Sequence, residues 1–91
     1  MQAFAYLVGY RMLGRQGELG RVVELEGIEG APESSTLVVR GGVSDALIYH
    51  VPAMRLVSVS RETGTVEADV DVADFVPSLG DGGTVELRLS S

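Results

Sequence analysis

The stretch Thr65-Val66-Glu67-Ala68-Asp69-Val70-Asp71-Val72 alternates apolar and polar residues without a break. A strand turns successive side chains to opposite faces, so this period of two predicts a half-buried β-strand. Val66, Ala68, Val70 and Val72 are expected inward, and Glu67, Asp69 and Asp71 toward water. The stretch just before it, Arg61-Glu62-Thr63-Gly64, has turn chemistry with Gly late in it. Leu56 to Ser60 on the other side of that turn then reads as the hairpin partner.

Working outward gives the same texture throughout. Ala3 to Val8 is apolar and reads as a first strand, which Gly9 to Gly14 continues or bends. Arg15-Gln16-Gly17-Glu18 is a polar turn, followed by a strand over Arg21 to Ile28. There Val23 and Leu25 share one face and Glu24 and Glu26 the other. A loop with Pro32 is expected over Gly30 to Ser35, then a strand over Thr36 to Arg40 that Gly41-Gly42 closes. Ala46 to Val51 is a further strand, with Leu47, Tyr49 and Val51 on one face and Ile48 and His50 on the other. Pro52 lacks a backbone donor and ends it; Pro52-Ala53-Met54 forms a tight turn. Ala73 to Leu79 reads as a short helical turn capped by Asp71 or Asp74, Gly80 to Gly83 as a turn, and Thr84 to Leu89 as the last strand.

The expectation is therefore an all-β domain: a small, mostly antiparallel, closed or partly open β-barrel of six to seven short strands with one helical turn. Ninety-one residues make one domain, 1–91. Only five residues are aromatic, so Val and Leu must build the core. A barrel this narrow fills its interior with side chains and leaves no ligand cavity.

Composition narrows function further. The chain has no cysteine, which excludes disulfides and thiolate chemistry. No apolar run approaches the roughly 20 residues of a membrane span. Phe4 to Val8 has no basic segment before it and no cleavage site after it, so no signal peptide is expected and the chain reads as cytoplasmic. Its basic residues are seven arginines and no lysine, against thirteen acids, for a net charge of −6. That balance argues against nucleic acid and anionic membranes as partners.

Three motifs together resemble the PRC-barrel family. The first is Gly9-Tyr10-Arg11-Met12-Leu13-Gly14 followed by Gly17-Glu18-Leu19-Gly20-Arg21-Val22-Val23. The second is Leu37-Val38-Val39-Arg40-Gly41-Gly42. The third is Leu47-Ile48-Tyr49-His50-Val51-Pro52-Ala53 running into Leu56-Val57-Ser58-Val59. The resemblance covers about residues 7 to 72. It implies a small barrel without catalytic residues or cofactors that works by protein–protein contact. The family includes the cytoplasmic domain of the purple-bacterial reaction-centre H subunit. It also includes the C-terminal domain of a ribosome-maturation factor that docks on a ribosomal protein.

Possible sites are few. His50, the single histidine, points outward or into an interface, and no motif pairs it with a nucleophile. Asp69, Asp71 and Asp74 lack the Gly and Glu spacing of a calcium loop and read as a solvated face with a capping residue. Arg11, Arg15 and Arg21 gather around the first turn as a small positive patch. Val22, Val38, Ile48 and Val57 fall opposite the expected core and, with His50, form the candidate interface. The leading expectation is a non-enzymatic protein-interaction domain that self-associates. The alternative is a small RNA- or ribosome-associated processing factor.

Overall fold

A computed structural model describes residues 5–28, 31–42, 46–79 and 84–89. The chain is all-β. Its strands are β1 (Arg11–Gly14), β2 (Gly17–Ile28), β3 (Ala31–Gly41), β4 (Leu47–Pro52), β5 (Leu56–Ser60), β6 (Thr65–Ala68), β7 (Phe75–Leu79) and β8 (Val85–Leu89). They form one sheet in the order β5-β6-β1-β2-β3-β4-β8-β7. Pairing is antiparallel except for β1 with β6 and β4 with β8. Laid flat, eight strands at their usual spacing would form a slab about 34 Å wide and one strand thick. The backbone instead spans 32 × 28 × 24 Å. The sheet is coiled into a partly open barrel with β5 and β7 at its free edges.

The inner face carries the core. Met12, Leu37, Val39, Val51, Val66 and Val70 are fully buried, with Tyr49 packed edge-to-face on Phe75 at 5.0 Å. Burial pushes the Tyr49 phenol above its ordinary pKa. The period-two reading of the opening stretch holds for Val66, Ala68 and Val70 inside and Glu67 and Asp69 outside. It fails at Val72, which is exposed. Pairing with β5 ends at Ala68, and Asp71 then caps a single 3-10 turn over Val72–Asp74. The Asp71 side chain accepts from the Ala73 N–H, and the Asp74 side chain accepts from the Asp71 N–H at 3.0 Å. This reciprocal cap fixes the chain locally and rotates Val72 outward.

Four further expectations are corrected. Ala5–Leu7 is a 3-10 turn, not part of a strand, and drops Leu7 fully into the core; residues 1–4 lie outside the described residues. Residues 31–35 belong to β3, because Pro32 sits near the strand's start, where a missing donor is tolerated; Gly30 lies outside the described residues. The helical turn expected over Ala73 to Leu79 stops at Asp74. Phe75–Leu79 is instead a strand, since Pro77 keeps Val76 out of the helical region and cannot extend a helix. The turn expected at Gly80 to Gly83 lies outside the described residues.

The remaining correction concerns register. Val22 pairs with Val39 and Glu24 pairs with Val38, so Val23 is an extra residue in β2. The bulge reverses the phase of the strand. Val22, expected on the outside, is 1% exposed, and Val23, expected inside, is 45% exposed. Another irregularity, between Met12 and Leu13 of β1 against β2, accompanies the burial of Leu19.

Candidate functional site

Of the five candidate interface residues, the fold leaves one well exposed. Val22 is core. Val38 and His50 lie opposite each other on the outer face of β3 and β4, apart from the core cluster, yet are only 7% and 8% exposed. Ile48 is half-buried and Val57 is 66% exposed. The cross-strand neighbours of Val38 on this face are Glu24 and His50.

His50 is covered by acidic neighbours. Its Nε2 hydrogen-bonds Glu86 Oε1 at 2.8 Å, and Nδ1 lies 3.8 Å from Glu26 Oε1 without a hydrogen bond. Glu86 arrives because β8 runs parallel beside β4, pairing Ile48 with Glu86 and His50 with Arg88. The chemistry of a triad needs a nucleophile hydrogen-bonded to the imidazole. Here the ring's hydrogen bond goes to a carboxylate, and among the described residues no Ser or Thr hydroxyl bonds to the ring. The histidine thus acts as a polar tie between β4 and β8. His50→Ala is expected to lower stability by about 1–3 kcal/mol, a drop in the urea midpoint with no change in oligomeric state.

The acidic group at Asp69, Asp71 and Asp74 is also accounted for structurally. Asp71 and Asp74 form the cap, and Asp74 meets Arg15 Nη2 at 2.8 Å while Asp69 lies 3.7 Å from Arg15 Nε. Among the described residues no group of three or more His, Asp and Glu is arranged to hold a metal ion. No helix of the described residues is long and apolar enough to cross a membrane.

Two features of the surface stand apart. The first is the free edge at β5. Val57 and Val59 are exposed there, and Met54, at 77% exposure, lies two residues before the strand. At its other end Arg61 stacks 4.9 Å over the ring of Tyr6, itself edge-on to Tyr10. Half of the exposed large apolar side chains among the described residues therefore bracket one strand. β5 carries no charge and no proline, although Val57 is an extra residue against β6, a bulge in the edge. The opposite edge, β7, carries Pro77.

The second is a row of arginines. Arg11 pairs with Arg21 across β1 and β2, and Arg21 pairs with Arg40 across β2 and β3. The three line one open depression of about 260 Å³ together with Glu18, Leu19, Gly20, Gly41 and Gly42. The sequence grouped Arg15 with Arg11 and Arg21 by proximity. The structure turns Arg15 away to Asp69 and Asp74, and β3 supplies Arg40 in its place.

No family model matches the chain, and no curated protein matches its sequence.

Proposed function

We propose that this chain is a PRC-barrel-like, non-enzymatic protein-interaction domain that self-associates through the β5 edge. The observation that carries the reading is the contrast between the two free edges. β5 presents unpaired backbone groups beside Val57, Val59 and Met54, with neither a charge nor a proline to repel a second strand. The interior, meanwhile, is filled with side chains from Leu7 to Leu87, which leaves the surface as the place for contact.

The occupant is a second copy. Leu56-Val57-Ser58-Val59-Ser60 is nearly palindromic about Ser58. An antiparallel pairing about a two-fold axis there sets Val57 opposite Val59 of the other copy. Such a two-fold contact is the commonest form of self-association. β5 is also neutral, so the net charge of −6 is not concentrated at the seam.

Val57→Lys tests this. The position is exposed, so the domain stays folded while the seam gains a repelling charge. Sedimentation velocity at high micromolar concentration is expected to show a dimer for the native chain. The Val57→Lys chain is expected to be a monomer with an unchanged far-UV spectrum. A native chain that sediments only as a monomer over that range overturns the reading.

A further inference from the structure

Three arginines directly opposite one another on adjacent strands are an unfavourable arrangement in the free protein. Cross-strand partners sit about 5 Å apart, and like charges so placed destabilise the sheet. Outside the row, Arg15 pairs with Asp69 and Asp74 and Arg88 with Glu86, while Arg61 stacks over Tyr6. In the row only Arg11 has an ion pair, to Glu18 at 3.5 Å, and both side chains are half exposed, a geometry that contributes little. Arg21 donates to the Gly9 carbonyl at 3.3 Å, and Arg40 has no partner among the described residues. The depression therefore holds two uncompensated positive charges on a chain whose net charge is −6.

Glycine backbone lines part of this depression. Gly20 and Gly41 bring β2 and β3 so close that neither has room for a Cβ. The guanidinium groups flank this backbone, with Arg11 turned toward Glu18 and Arg21 toward the Gly9 carbonyl at the depression's rim. Planar guanidinium groups that share one anion form bidentate, charge-assisted hydrogen bonds to its oxygens. At about 260 Å³ the space is smaller than a typical drug-sized pocket, and no aromatic ring lines it. A nucleic-acid base would have nothing there to stack on.

We propose that Arg11, Arg21 and Arg40 form a binding site for a small phosphate-bearing anion, either inorganic phosphate or a compact phosphate monoester. The site lies on β1–β3, four pairings or fewer from the β5 edge, and does not depend on self-association.

The probe is inorganic phosphate, titrated into the full chain at low ionic strength and followed by the arginine Nε–H resonances. Saturable shifts at the three row arginines are expected, with affinity weakened about tenfold or more by Arg21→Gln or Arg40→Gln. Arg88→Gln, which removes the same charge from another part of the sheet, is expected to bind normally. Without phosphate, Arg40→Gln is expected to raise the urea midpoint, because it relieves repulsion. A purely structural arginine would lower it, so a lower midpoint counts against the site. Glycerol phosphate run in parallel separates a monoester site, where it binds more tightly, from a phosphate site, where it binds equally or less. Shifts reproduced by chloride at matched ionic strength overturn the proposal. So does tight, salt-dependent binding of an RNA oligomer in the absence of phosphate binding, which assigns the row to a nucleic-acid backbone instead.

Discussion

Val22→Asp is expected to abolish the folded state, while Val23→Asp, one residue along, is expected to change stability by less than about 0.5 kcal/mol. The two positions are chemically identical and adjacent, so only the register of β2 separates them. Val22 is 1% exposed and paired with the fully buried Val39; Val23 is the bulged residue and is 45% exposed. A carboxylate at Val22 has no cation within the apolar cluster to meet it, and burying such a group costs more than about 4 kcal/mol. A domain of this length is typically stable by only about 5–10 kcal/mol, so little or none of the margin survives. Amide spectra and urea unfolding of both variants decide the matter. A folded Val22→Asp chain beside an unfolded Val23→Asp chain would show that β2 alternates without a bulge, and the barrel interior would have to be redrawn.

That pair of residues also shows where the sequence stops being readable. Thr65 to Ala68 and Leu56 to Ser60 were legible because a period of two, flanked by a Gly turn, has one interpretation; the bounds of β5 were read without error. Val22-Val23 has two, since adjacent valines satisfy either phase, and a bulge adds a residue without leaving a compositional mark. Phe75 to Leu79 is a five-residue segment, too short for periodicity to separate strand from turn. The site features depend on pairings between distant segments. Arg40 joins Arg21 only once β2 and β3 are in register, and Glu86 reaches His50 across 36 residues of chain. Neighbours along the chain gave Arg15 as the third arginine and solvent or an interface as the surroundings of His50. Both were reasonable local inferences, and pairing in three dimensions replaced both. The free β5 edge was likewise invisible until the strand order placed it at one end of the sheet.

Gly41→Ala is the second substitution expected to be severe, costing about 3 kcal/mol or more. The argument is steric and local. A Cβ at Gly41 would land on the carbonyl oxygen of Leu19, and one at Gly20 would land on the carbonyl oxygen of Arg40. The two strands thus pinch each other reciprocally, and the obstacle on each side is backbone that cannot rotate away. Relief requires β2 and β3 to part at the end where Arg21 pairs with Arg40, which loosens the sheet at its centre. Gly27→Ala, on the same strand pair, supplies the control. Its Cβ would meet the Ser35 hydroxyl, a side-chain atom that can turn aside, so a loss of less than about 1 kcal/mol is expected. Urea midpoints of the two alanine variants should therefore differ widely although each adds a single methyl group. Equal midpoints would mean that the strands do not approach so closely. The glycine backbone that lines the depression beside the arginine row would then be displaced as well.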